Sequence, residues 1–496
     1  MRVQVFPFLG EVTPEIFEKS SPGRRGSRVP APDVDTRPIQ ELIPEPFLRA
    51  TPPGLPEVPE SEVVRHYTEL SLKNHHVDRA LYPLGSCTMK YNPKVNEATA
   101  RLDGFASLHP LTPQAAAQGA LRLMWELAEV LKEIAGMDAV TLQPAAGAQG
   151  EMTGVLLMRA YHRANGDDAR RRVLIPDSAH GTNPATVAMA GFETVELKSD
   201  DSGRTDLDAL REALDDTVAG MMLTNPNTLG VFERDIVEIC RLVHEAGGLM
   251  YMDGANLNAL MGVVRPGDMG YDIVHFNLHK TFSTPHGGGG PGAGPVAVRE
   301  PLARFLPVPH VRASDEGFHL DWDVPDSIGK LHGFYGNFGV MVRAYTYIRM
   351  LGRQGIRETA ETAVLNSAYL SVLIGDRFEL PYGRGMHESV FSGAELKKRT
   401  GIKTLDVAKR LLDYGFHAPT IYFPLNVPEA LMVEPTETET REELERFAAA
   451  MVAIADEAEA DPELVRGAPH ETPVRRLDEG RAGRQLDIRW RPPDGG

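Results

Sequence analysis

A series of short apolar runs, separated by segments with helical periodicity, constrains the fold of this chain most strongly. The runs show little polar–apolar alternation, which is typical of strands buried on both faces. A strand–helix–strand order makes successive strands parallel and joins them by right-handed crossovers. The sequence therefore predicts an α/β fold with a mostly parallel central sheet flanked by helices. The predicted strands are residues 173–175, 194–197, 220–223, 249–252, 273–276 and 295–298.

Changes in composition along the chain predict three parts. Residues 1–110 form an N-terminal part. It consists of an extended arm rich in Pro and charge up to about residue 60, for which a disordered tail is the alternative, and of a following segment that contains residues 82–93. Residues 111–340 form the large domain, whose first helix is predicted to start at Thr112 and Pro113 and to end at Gly136. Residues 341–496 form a smaller α+β domain with a charged tail.

The composition excludes several classes of partner and compartment. The formal net charge is −17, so an acidic surface repels nucleic acid and anionic membranes. No window of 18 uncharged apolar residues predicts a transmembrane helix, and the N-terminus lacks the apolar core of a signal peptide. The two cysteines, Cys87 and Cys240, fit a reducing compartment. We therefore expect a cytoplasmic protein.

Lys280 is the strongest candidate for chemistry. It follows the predicted strand 273–276, has His279 before it, and is followed by four glycines at 287–290. Lysine is scarce in this chain, and only lysine, not arginine, forms an imine with an aldehyde cofactor. Glycines let the backbone approach a ligand closely. A phosphate contact or a surface position is the alternative for this segment taken alone.

Asp253 strengthens the case for Lys280. It ends the predicted strand 249–252, one strand before the lysine. A carboxylate there can pair with a protonated pyridine nitrogen and so make the ring an electron sink for a substrate carbanion. An N-cap or a metal ligand is the alternative for a strand-end Asp alone. A strand-end Asp is common by itself. An Asp followed by one further strand and then by His-Lys and glycines is much less common.

Three further polar segments lie where the carboxyl ends of parallel strands gather ligands. Residues 144–151, which include Ala148 and Gln149, precede a helix whose N-terminus can bind a phosphate. His180 can stack on a cofactor ring and move protons, and Thr224 can reach a ring oxygen or the substrate. Ordinary loops and turns explain each segment alone. His275, His279 and His286 lack the spacing of a metal site, so no metal is predicted.

Together these segments resemble fold-type I pyridoxal phosphate enzymes, in which Lys280 carries the cofactor as a Schiff base. Residues 82–93, 180–185, 277–282 and 434–439 more narrowly resemble the P-protein family of the glycine cleavage system, and the likeness covers nearly the whole chain after about residue 60. The length matches the C-terminal half of the family's long form. The resemblance therefore implies subunit 2 of a two-subunit enzyme, paired with subunit 1 in a two-plus-two heterotetramer.

The resemblance also implies a reaction and a set of residues. Glycine loses carbon dioxide, and its aminomethyl group passes to the lipoyl arm of the H-protein. Lys280, His180 and Asp253 are the implied catalytic residues. The implied cofactor-binding residues are these three with Ala148, Gln149, Thr224, Ala255 and His279.

Two competing functions and one uncertain residue remain at this stage. Another fold-type I activity, that of an aminotransferase, desulfurase or hydroxymethyltransferase, fits the residues around Lys280 equally well. A non-catalytic scaffold subunit is the second alternative, although intact Lys280 and Asp253 count against it. Cys87 lies in the 82–93 segment, where packing, a place along the channel for the lipoyl disulfide and a redox switch are all open.

Overall fold

A seven-stranded sheet forms the centre of the computed structural model, which describes residues 12–24, 26, 30–51, 53–287 and 292–491. The strands are β1 (Ala139–Thr141), β2 (Arg172–Pro176), β3 (Glu193–Leu197), β4 (Val218–Thr224), β5 (Leu249–Gly254), β6 (Ile273–Phe276) and β7 (Val296–Val298). Their order across the sheet is β1-β7-β6-β5-β4-β2-β3, and only β7 runs antiparallel to its neighbours. The predicted α/β class with a mostly parallel sheet is confirmed.

Helices cover both faces of this sheet. The helices up to the end of the large unit are α1 (Ile39–Leu42), α2 (Glu60–Lys73), α3 (Lys94–Ala100), α4 (Asp103–Ala106), α5 (Gln118–Ala135), α6 (Gly147–Ala164), α7 (Thr182–Met189), α8 (Leu207–Ala213), α9 (Ile236–Glu245), α10 (Pro266–Met269), α11 (Glu300–Ala303) and α12 (Phe338–Ile374). In β5, Met250 and Met252 enter one apolar core while Tyr251 enters the core on the opposite face. Among the described residues, no helix has an apolar stretch that could cross a bilayer.

The first long helix begins later than predicted. Pro113 has an extended ψ of 138° and precedes a short 3-10 turn, Gln114–Ala116, so the predicted start at Thr112 is wrong. The helix α5 begins at Gln118 without a side-chain cap. Its predicted end is confirmed, because Gly136 takes the left-handed conformation (φ 68°) that glycine adopts without strain.

A smaller C-terminal unit contains its own sheet and core. A hairpin of β8 (His310–Ser314) and β9 (Gly317–Asp321) precedes α12 in the chain. The strands of the C-terminal unit are β10 (Ser389–Ser392), β11 (Thr420–Ile421) and β12 (Ala430–Val433). Its helices are α13 (Ala394–Thr400), α14 (Thr404–Asp413), α15 (Arg441–Ala460), α16 (Pro462–Arg466) and α17 (Glu479–Arg484). The small sheet is antiparallel, in the order β10-β12-β11. The helix α12 breaks at Gly352 (φ 62°) and joins the two units, since Met341 lies in the large core and Ile374 in the small one.

The 82–93 segment lies between the two units. Leu84 forms an antiparallel bridge with Val433 at the end of β12. Thr88 donates its amide and its hydroxyl to Glu434, at 3.0 and 2.7 Å. The Lys90 ammonium is buried and lies 2.8 Å from the Glu437 carboxylate. The two segments that most resembled one family in sequence, 82–93 and 434–439, are therefore in direct contact.

Replacing Lys90 with methionine should strongly destabilise the contact between the two units. It leaves the mostly buried Glu437 carboxylate without its cation, and breaking a buried pair costs about 3–5 kcal/mol. Urea denaturation of the variant measures this loss. Lys94→Met is the matched control, because the Lys94–Asp78 pair is solvent-exposed and such pairs contribute about 0–1 kcal/mol. Equal stability losses in the two variants would contradict the assignment.

Candidate active site

A cavity of about 240 Å³ lies where the carboxyl ends of β4, β5 and β6 meet the N-terminus of α6 and residues of the small unit. Ligands collect at this edge of an open α/β sheet. The cavity brings together all but one of the eight predicted cofactor-binding residues; the exception is Gln149. Those that line it are Ala148, His180, Thr224, Asp253, Ala255, His279 and Lys280.

Lys280 extends from a turn after β6 toward the 82–93 segment. The turn is closed by a hydrogen bond from the Lys280 amide to the Asn277 carbonyl at 3.0 Å. The Lys280 Nζ donates to the Ser86 carbonyl at 2.9 Å. Of the four glycines in the predicted loop, those at 288–290 lie outside the described residues. The Lys280 amine therefore donates to an uncharged carbonyl oxygen, a hydrogen bond that it can give up to react with an aldehyde.

Asp253 is buried at the end of β5 and is held by three neighbours. Its carboxylate accepts hydrogen bonds from the Asn183 side chain and the Ala255 amide, both at 3.0 Å, and the His275 Nε2 lies 3.4 Å away. Burial opposes ionisation, but His275 and these hydrogen bonds hold the pKa of Asp253 below its ordinary value. Asp253 is therefore a fixed negative charge at the base of the cavity.

A second layer of side chains orients Asp253. The Asn183 Nδ2 also donates to buried Glu151 at 3.0 Å, so one amide bridges two carboxylates. On the other side, the His275 Nδ1 is 2.7 Å from the Tyr251 hydroxyl. Sequence reasoning rejected His275 only as a metal ligand and did not identify its role beside Asp253. In the register between β5 and β6, Asp253 is paired with His275, and this pairing identifies the role of His275.

The N-terminus of α6 offers backbone donors to the cavity. The first amides of a helix have no partner within it and favour an anion. Gly147 and Ala148 line the cavity, and a Cβ at Gly147 would lie 2.8 Å from the Asn277 side chain. The Gln149 side chain accepts a hydrogen bond from the Ala145 amide at 2.7 Å and donates to the Leu331 carbonyl at 2.9 Å. Only its backbone amide remains for a phosphate.

The two predicted histidines occupy different environments. His180 is exposed at the rim, with Nδ1 2.8 Å from the Thr182 hydroxyl and its ring edge toward Phe423. His279 lies against Gly292 and accepts a hydrogen bond from the Ala293 amide at 3.2 Å. Burial, with help from His286 and Lys280, lowers the pKa of His279 to about 3. His279 is therefore a neutral ring next to the lysine.

The small unit contributes two cavity residues that sequence reasoning missed, His387 and Glu388. Both are buried, and neither ring nitrogen of His387 has a hydrogen-bond partner. They directly precede the buried strand β10, and adjacent titratable residues at that place were the available signal. Burial raises the pKa of Cys87, which is half-buried.

The donors and acceptors around the cavity fit an aldehyde cofactor with a phosphate and a basic ring nitrogen. They provide an amine, a fixed carboxylate and a helix N-terminus. Buried polar atoms without a protein partner supply further contacts; they belong to Thr224, Asn277 and His387. Glu151, Asp253 and His275 also have ligand atoms within 4.8 Å of one another. Their carboxylate oxygens already accept protein hydrogen bonds, which disfavours a metal ion.

Comparison with known families matches most of the chain. Residues 34–316 match the family described as glycine cleavage system P-protein, and residues 359–470 match the C-terminal domain of glycine dehydrogenase. A "probable glycine dehydrogenase (decarboxylating) subunit 2" from Chloroherpeton thalassium is 58% identical over 486 residues, covering 97% of this chain and 98% of that protein. Its counterpart from Chlorobium phaeobacteroides is 60% identical over 478 residues, covering 95% and 98%.

Solved structures share the fold. The crystal structure of an inhibitor-bound glycine decarboxylase (P-protein) of the glycine cleavage system superposes with a TM-score of 0.70 at 23% identity, covering 83% of this chain and 93% of that one. A NifS-like protein superposes with a TM-score of 0.59 at 15% identity, covering 76% and 99%. The predicted fold-type I architecture is thus confirmed.

Proposed function

The chain belongs to the family of glycine cleavage system P-proteins, and from that membership we propose that it is the cofactor-bearing subunit of a two-chain glycine decarboxylase. It is a glycine dehydrogenase (decarboxylating) that depends on pyridoxal phosphate. The juxtaposition of the Lys280 amine and the Asp253 carboxylate across one cavity carries the assignment of this chain as the catalytic one.

The cavity residues have distinct roles in this proposal. Lys280 anchors the cofactor through its ε-amine. Asp253 holds a proton on the ring nitrogen, because its low pKa keeps it charged and its neighbours fix its position. The cofactor, when bound, accepts the electron pair that loss of the carboxyl group leaves on the substrate carbon. The amides at the start of α6, including those of Ala148 and Gln149, bind the phosphate.

Three further residues orient the cofactor and the substrate. The Thr224 hydroxyl is buried without a protein partner, so it is free to accept or donate to a ligand. His180, at the exposed rim, covers one face of the ring. Ala255 and neutral His279 border the ring, and neither places a charge beside the Lys280 amine.

The partners follow from the names of the relatives and from the family. The relatives are each described as subunit 2, so we infer a subunit 1 as partner, in a two-plus-two heterotetramer. The acceptor of the aminomethyl group is the lipoyl arm of the H-protein. A cytoplasmic location stays a prediction.

Exchange of labelled carbon dioxide into the carboxyl group of glycine tests this function. The chain, produced together with its partner subunit, should catalyse exchange only when lipoylated H-protein is present. H-protein that lacks the lipoyl group is the control and should support little exchange. Transamination of several amino acids without H-protein would instead assign the chain to another fold-type I activity.

A further inference from the structure

Two buried glutamates from the small unit have unequal surroundings. The ligand atoms of His387, Glu388 and Glu434 all lie within 4.8 Å of one another. Glu434 accepts two hydrogen bonds from Thr88 and two more from the side chains of Asn256 and Asn258. Glu388 accepts a single one, from the Ser86 amide at 2.7 Å. Donors stabilise the charged form of a carboxyl group, and Glu388 has fewer of them than Glu434.

Glu388 is the member of the pair that stays protonated. Burial and the adjacent Glu434 charge raise its pKa well above the ordinary value, while the Ser86 amide and Lys280 oppose this only in part. The titratable groups that face it are His387, Lys280, Cys87 and Glu434. A buried carboxyl group whose pKa is raised can serve as an acid at neutral pH.

Glu388 is also placed to act on a reacting group. It lines the cavity, and its carboxyl group accepts a hydrogen bond from the Ser86 amide. The carbonyl of the same Ser86 accepts a hydrogen bond from the Lys280 Nζ. The nearby histidines cannot substitute for it as acids. Burial lowers the pKa of His387, His286 and His279, so these rings are neutral.

We propose that Glu388 is the general acid that protonates the sulfur released from the cyclic disulfide of the lipoyl arm. The inference rests on the proposed function. The substrate carbon, which holds the electron pair left by decarboxylation, forms a C–S bond with one sulfur. The S–S bond breaks, its electron pair leaves on the second sulfur, and that sulfur takes the Glu388 proton. The disulfide is reduced and the glycine-derived carbon is oxidised, so no other oxidant is needed.

Infrared spectroscopy tests the protonation state without any turnover. At about pH 8, the difference spectrum between wild type and Glu388→Gln should contain the carbonyl band of a neutral carboxyl group. Glu439→Gln is the matched control, because the pKa of Glu439 is raised to about 7 and this group is mostly ionised at that pH. Glu439 does not line the cavity. Absence of the band from the Glu388→Gln difference spectrum would overturn the proposal.

Single-turnover transfer to lipoylated H-protein tests the role. Glu388→Gln should bind glycine with unchanged affinity, measured by cofactor absorbance, but transfer the aminomethyl group about 10²–10⁴-fold more slowly, the range for loss of a general acid. Wild type should lose transfer rate as the pH rises through the pKa of Glu388, and the variant should lack this limb. Glu439→Gln should behave like wild type.

The outcomes separate the two levels of inference. A wild-type enzyme without H-protein-dependent transfer contradicts the proposed function, whatever the variant does. An active wild type with an equally fast Glu388→Gln variant contradicts only the role of Glu388. If the variant does not fold, the pH profile of wild-type transfer still decides, since a rate that rises or stays level at high pH excludes a carboxylic acid as donor.

Discussion

Replacing Lys280 with alanine is expected to remove the visible absorbance of the bound cofactor and to lower glycine decarboxylation by at least about 10³-fold, within the range for loss of a positioned proton-transfer group. The side chain supplies an amine that reaches across the cavity to the Ser86 carbonyl, and among the described residues no other lysine lines this space. Absorbance spectra before and after borohydride reduction, together with the exchange assay, measure both effects.

Two further variants separate chemistry from charge at this position. Lys280→Arg keeps a cation that can donate to the Ser86 carbonyl, but it cannot form an imine, so we expect the same loss of absorbance. Lys398→Ala removes a solvent-exposed lysine of the small unit and should change neither readout. A reducible absorbance band that survives in Lys280→Ala would show that another residue anchors the cofactor.

Asp253→Asn should give the second-largest effect, a fall of about 10²–10³-fold in kcat, the range for loss of one preorganised electrostatic partner. The amide keeps the shape of the side chain but loses the charge that holds a proton on the ring nitrogen. Cofactor affinity should fall as well, because the cationic ring loses its counter-ion. Titration of cofactor absorbance and steady-state kinetics measure these two effects separately.

Asp272→Asn is the matched control for this prediction. Asp272 directly precedes β6 at the opposite end of the sheet, where it accepts hydrogen bonds from the Met250 amide and His244, both at 2.7 Å. Its loss should reduce stability without changing cofactor affinity. If Asp253→Asn retains full kcat and binds the cofactor normally, Asp253 has no role at the ring nitrogen.

The large sheet was predictable because each strand is a local pattern. The runs at 173–175, 194–197 and 220–223 each fall within a strand, and Ile273–Phe276 matches the prediction. The direction of β7 was not predicted. The described residues between Phe276 and Val296 contain no α-helix, and a parallel connection usually needs such a crossover. The absence of helical periodicity in that interval was the available signal.

The part of the site near the sheet followed from the sequence, and the part near the small unit did not. Lys280 and Asp253 follow recognisable strands, so their meeting at one edge is a topological consequence. His387 and Glu388 reach the same cavity only because a separate core folds back over it. The Gln149 side chain turned toward Leu331 for a comparable reason, since a loop far away in sequence supplies its acceptor.

The contact between Thr88 and Glu434 has a consequence for how such sequences diverge. The two residues are 346 positions apart in the chain, yet both are buried and two hydrogen bonds join them. Loss of the Glu434 carboxylate leaves the buried Thr88 amide without its acceptor, which costs about 1–3 kcal/mol unless the neighbouring residues also change. We therefore expect these positions to covary among relatives, so that two distant segments are inherited as one physical unit.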